Sequence, residues 1–196
     1  MNKLKNTLKI FCALAVLGCC LSSLQAQNRA LLNEAERVTN DNFPFVTQTP
    51  RGTRVYAVKR PNGRMLNAID KGLADLFAVA EENGYRKRLN YSDYTIFIAK
   101  ADRIQNKDKN YSPDIAVNAA QYAGSVYDQG GFIYAAGMVL SNNPCAFVFA
   151  EHTKNFERVS EVVRYEGEHL ILYHNDRRRY QKTADHSQGG GHPILK

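Results

Sequence analysis

Residues 132–150, FIYAAGMVLSNNPCAFVFA, decide the fold class. Phe132 to Leu140 and Cys145 to Ala150 have the apolar composition of strands, and Ser141-Asn142-Asn143-Pro144 between them has the chemistry of a hairpin turn. Upstream, Tyr122 to Tyr127 forms another such run, set off by Asp128-Gln129-Gly130-Gly131. Three strands joined by short turns predict an antiparallel meander. A sheet of that kind needs helices over one face. Further strands are expected around Arg54 to Lys59, at Tyr94 to Ala99 and around Ile115 to Val117, with an exposed loop over Asp102 to Ser112.

The covering helices are also legible. Leu66, Ile69, Leu73, Leu76, Phe77 and Ala80 recur at helical spacing between Met65 and Glu82, and Asn83-Gly84 supplies a left-handed stop. A second long helix is expected to start after Thr153 or Asn155 and run to about His174, with Phe156, Val159, Val162, Val163, Leu170 and Tyr173 as its apolar stripe. Residues 28 to 39 form a shorter amphipathic helix. The expectation is therefore an α+β fold, an antiparallel sheet with a C-terminal meander packed against two main amphipathic helices. A single domain would cover residues 27–185, followed by a glycine/histidine segment at 186–196.

The first 26 residues read as an export signal. Lys3, Lys5 and Lys9 precede an apolar run from Ile10 to Leu21, too short to span a bilayer, and the small-residue stretch SSLQAQ follows. Cleavage after Ala26 would release a periplasmic or extracellular chain beginning at Gln27. Val16-Leu17-Gly18-Cys19 resembles the lipobox of bacterial lipoproteins, and lipidation of Cys19 would instead tether the chain to a membrane. Without residues 1–26, Lys+Arg falls from 26 to 23 against 19 acids, and the net charge falls from +7 to +4. That balance does not favour nucleic acid as a partner, and Arg177-Arg178-Arg179 reads as a solvated helix end. Of four cysteines only Cys145 would remain, so disulfides do not staple the fold, and its apolar neighbours mark it as a small core residue.

Chemistry concentrates at the carboxyl end, where four of the five histidines fall between His169 and His192. With successive residues roughly 100° apart, Glu166 lies near the middle of the final helix's apolar stripe, His169 lies to one side, and Glu168 falls on the opposite, solvent face. A buried carboxylate needs a partner: a cation, an arginine, or a proton. Tyr165-Glu166-Gly167-Glu168-His169 resembles the zinc-peptidase signature His-Glu-x-x-His at its base and second ligand, with Tyr165 in place of the first histidine. A Glu-x-x-His pair also serves di-iron bundles, but those need several long facing helices.

Downstream residues are expected to supply the missing ligands. Asn175-Asp176 ends the long helix and caps a short one through Arg177 to Thr183, so the chain turns back and brings His186 and His192 towards His169. Gly189-Gly190-Gly191 gives that approach its freedom. Three imidazoles with Glu166 or water would complete four-coordinate zinc. The functional expectation is an exported zinc-dependent hydrolase in which His169, His186 and His192 hold the metal and Glu166 accepts a proton. The alternatives are a non-catalytic secreted or envelope binding protein and a secreted nuclease. A serine hydrolase is not indicated, since no G-x-S-x-G occurs.

Overall fold

The computed structural model describes residues 26–102, 114–118, 131–186 and 189–195. Its chain divides into two units, Met1–Glu34 and Ala35–Lys196. Of the first, the described residues 26–34 are helical, and this helix, α1, runs to residue 39. The expected signal lies outside the described residues except for Ala26. Among the described residues no helix is long and apolar enough to cross a membrane.

The second unit is α+β. Its elements are β1 (Phe45–Gln48), β2 (Arg54–Ala57), α2 (Gly63–Glu82), β3 (Tyr94–Ala99), β4 (Ile115–Asn118), β5 (Phe132–Ala135), β6 (Gly137–Asn142), β7 (Cys145–Ala150), α3 (Phe156–Asn175) and α4 (Arg177–Thr183). Five strands form one sheet in the order β1-β2-β3-β7-β6, while β4 and β5 form a separate antiparallel pair.

This sheet is mixed, which corrects the expectation of an antiparallel one. β2 pairs with β3 and β3 with β7 in parallel, whereas β1–β2 and β6–β7 are antiparallel. Parallel neighbours need long crossovers, and α2 supplies the one between β2 and β3. Every residue of β3 and β7 is buried, as expected of central parallel strands. Of the anticipated meander, the β6–β7 hairpin is present across Asn143-Pro144. The run from Phe132 to Leu140 is not one strand. It bends at Ala136, so that β5 pairs with β4 and only β6 joins β7. Small residues at Ala135, Ala136 and Gly137 permit the bend. The strand expected at Tyr122 to Tyr127 lies outside the described residues.

α2 and α3 cover the face that carries Val55, Ile96, Ile98, Phe147 and Phe149. Both helices begin where a side chain can satisfy an orphan backbone donor: Asn62 accepts from the Met65 N–H at 2.9 Å, and Asn155 from that of Arg158 at 3.0 Å. Close contact between the helices depends on two glycines. A methyl group at Gly72 would lie 2.6 Å from the Ser160 carbonyl oxygen, and one at Gly167 would lie 2.5 Å from Leu76 Cδ2. Ser160 Oγ donates to the Ala68 carbonyl at 2.9 Å across the same contact. The pairing fixes the rotation of α3 and hence the directions in which Glu166, Glu168 and His169 point.

Candidate metal centre

α3 ends at Asn175, and Asp176 caps α4 by accepting from the Arg179 N–H at 3.0 Å. α4 is short, and the chain doubles back at its end. The Gly191 N–H donates to the Thr183 carbonyl at 3.0 Å, and that of Gly190 to the Asp185 carbonyl at 3.0 Å. Gly189 has a φ of +79°, a conformation that favours glycine, and a methyl group at Gly190 would collide with the Thr183 and Asp185 carbonyls. Two of the three glycines, Gly189 and Gly190, are therefore steric requirements of this turn.

The return brings His169, His186 and His192 together. One potential ligand atom from each lies within 4.8 Å of the other two. Ring centroids are 5.1 Å apart for His169–His186, and 4.9 Å for both His169–His192 and His186–His192. Burial holds the His169 imidazole down to about 3, and the neighbouring His192 and His186 add to the effect. His186 is lowered by the same causes, burial first and then His192. Neutral imidazoles are the form that binds a metal. His169 Nδ1 is buried with no hydrogen-bond partner among the described residues.

Glu168 corrects the helical-wheel reading. Its side chain is 0% exposed, not solvated. Oε2 accepts from His192 Nδ1 at 2.8 Å and Oε1 from the Ile194 backbone N–H at 2.8 Å. The wheel assigned one buried face to α3, but the returning segment covers the other face and buries Ile194 there. Because Nδ1 of His192 is engaged by Glu168, its Nε2 is the nitrogen left for a ligand. Tyr165 stacks on the same ring, with centroids 4.7 Å apart and planes 26° apart. Hydrogen bonding from a ligand imidazole to a carboxylate fixes tautomer and orientation. No local sequence pattern marks Glu168 for this role, since its partner lies 24 positions away.

Glu166 points elsewhere, into a cavity of about 380 Å³ that it shares with His169, His186, Tyr180 and strands β5 and β6. The residue is half-buried. Burial raises its carboxyl to about 8. A dication held by the adjacent histidines would favour the ionised form. The donor set therefore suits a zinc-class ion: three imidazoles, one of them held by a buried carboxylate, with a second carboxylate in the adjoining cavity.

Two other groups lie apart. His174 faces the Asn142 carbonyl and Lys87 Nζ, and the Cys145 thiol, 3.5 Å from its Nε2, is pushed up to about 12 by burial. A protonated thiol is no nucleophile. No protein-family model, no curated protein and no solved structure matches this chain.

Proposed function

We propose that this chain is an exported hydrolase that binds one zinc-class dication through His169, His186 and His192. The observation that carries the reading is the convergence of those three side chains within 4.8 Å, with Glu168 gripping His192 and the backbone beyond it. Such an ion, when bound, polarises a carbonyl or phosphoryl oxygen and acidifies a water. The protein's own residues do the rest. Glu168 fixes the His192 ring through Nδ1, and Tyr165 holds the ring's other degree of freedom by stacking. Glu166, in the same cavity as His169 and His186, takes a proton from the attacking water and returns it to the leaving group.

A nuclease reading draws less support. Arg177 lies over the Tyr173 ring, and Arg179 bonds to Tyr85 and pairs with Asp176, so two of the three consecutive arginines serve the fold. Elemental analysis of the purified chain tests the proposal, with about one equivalent of zinc expected per chain. Glu166→Gln should keep the metal and lose hydrolysis. Metal absent from the parent protein, or hydrolysis unchanged in Glu166→Gln, would overturn the binding and the proton-transfer assignments respectively.

A further inference from the structure

β6 is an edge strand of the five-stranded sheet, and all six of its residues, Gly137 to Asn142, line the cavity. Side chains of a strand alternate between its faces, so a cavity against one face would meet every second residue. Contact with six in succession means that the cavity runs along the strand's edge. Every one of these residues is half-buried, which fits the same placement.

The ladder phase identifies the groups on that edge. The Ala150 N–H donates to the Ala136 carbonyl at 3.2 Å, and β6 continues this pairing with Gly137↔Phe149, Met138↔Val148 and Val139↔Phe147. In an antiparallel pair, hydrogen-bonded and non-bonded positions alternate. Ala136 and Met138 therefore bond to β7, and the N–H and C=O groups of Gly137 and Val139 point away from it, towards the cavity. Among the described residues β6 pairs with β7 alone. Opposite Gly137 stands Glu166, and a methyl group at Gly137 would lie 2.8 Å from Glu166 Cγ. The absence of a side chain there keeps the edge and the carboxylate close together.

We propose that the substrate is an extended polypeptide that adds to the edge of β6 left unpaired among the described residues, hydrogen-bonding to the main chain at Gly137 and Val139 so that one of its carbonyls lies beside Glu166, His169 and His186. This deepens the hydrolase reading and rests on it. Addition of a strand to a sheet edge is a general mode of peptide capture, with main-chain bonds giving affinity and side-chain pockets giving selectivity. The described cavity lining favours a peptide over a phosphoryl compound: it contains no Lys or Arg, and includes Ile133, Met138, Val139 and Leu140 as apolar wall. In the reaction, water oxygen bonds to the carbonyl carbon and the peptide C–N bond breaks. One water proton passes through ionised Glu166 to the departing nitrogen, and the other remains with the new carboxyl group, leaving one new carboxyl and one new amino terminus.

The test uses the full mature chain with its zinc content measured, incubated with reduced, carboxymethylated casein, the fragments being read by mass spectrometry. A peptide spanning an identified cleavage site is then resynthesised with single backbone N-methylations. Cleavage is expected, with turnover falling about tenfold or more when the methylated amide is one that bonds to β6, and little changed at its neighbours. Hydrogen exchange in residues 137–142 should slow when the peptide binds to the Glu166→Gln protein. Val139→Pro, which removes an outward N–H and no bond to β7, should lower peptide turnover at unchanged zinc content. A zinc-loaded chain that leaves casein intact, or turnover indifferent to every N-methylation, would overturn the peptide assignment while the metal reading stands. Absence of zinc would overturn both.

Discussion

Glu166 and Glu168, two positions apart on α3, meet different surroundings. Glu168 is enclosed and bonded at both oxygens, so Glu168→Gln replaces an acceptor with a donor that faces either His192 or the Ile194 N–H. Its loss should weaken zinc binding about 10- to 100-fold, as expected for a carboxylate that orients a ligand histidine, and titration with a competing chelator would measure it. Unchanged affinity would mean that Glu168 only anchors the chain end. In the metal-free protein, Glu166 and His169 act on stability with opposite signs. His169 is lowered from 6.5 to about 3, so its contribution is intact above 6.5 and is lost as pH falls towards 3. Glu166 is raised from 4.5 to about 8, so its contribution is intact below 4.5 and is lost as pH rises through 8. The two slopes offset between 4.5 and 6.5, and unfolding free energy should decline on either side, by at most about 1.4 kcal/mol per pH unit for each group. Urea titrations across pH should show Glu166→Gln without the alkaline decline and His169→Gln without the acid one. An alkaline limb that survives in Glu166→Gln would contradict the burial of that carboxyl.

At the scale of elements, the contact between α2 and α3 sets the site's geometry. Gly72→Ala would push a methyl group against the Ser160 carbonyl, which is backbone and cannot rotate aside. A destabilisation of about 1–3 kcal/mol is expected from overpacking there, measurable by urea unfolding. Gly63→Ala, where a methyl group meets nothing within 4 Å, is the control and should be nearly neutral. Periodicity exposed these helices because their apolar residues repeat at 3.6: Ile69, Leu73 and Leu76 on one, Val159, Val163 and Leu170 on the other. The clustering of histidines and the turn residues Asp176 and Gly189 to Gly191, all in the local sequence, offered His169, His186 and His192 as candidates. Two things were not legible. Strand direction within the sheet depends on which distant strands pair, and β3 with β7 are 51 positions apart, from Tyr94 to Cys145. The burial of Glu168 depends on a segment that covers α3 from the far end of the chain, and a helical wheel contains no such information.

For the whole molecule, the proposed centre would tie the carboxyl end to the body of the fold. His169 belongs to α3, while His186 and His192 bracket the glycine turn beyond α4, so an ion bound to all three closes that turn onto the helix. Zinc at about 100 times its dissociation constant should add about 2.7 kcal/mol, and raise the melting temperature by roughly 5–10 °C, reversed by a chelator. His192→Ala should abolish the rise. Export belongs to this scale too: mass spectrometry of the chain recovered outside the cytoplasm should find Gln27 as its first residue, and a diacylglyceryl group on Cys19 would place it on a membrane instead. X-ray diffraction from zinc-loaded crystals, collected on both sides of the zinc absorption edge, tests the shared centre most directly. One anomalous peak per chain is expected, bonded to His169, His186 and Nε2 of His192 at about 2.0–2.1 Å, with Glu168 still on Nδ1. A peak elsewhere, or His186 and His192 turned away from His169 with zinc present, would contradict it.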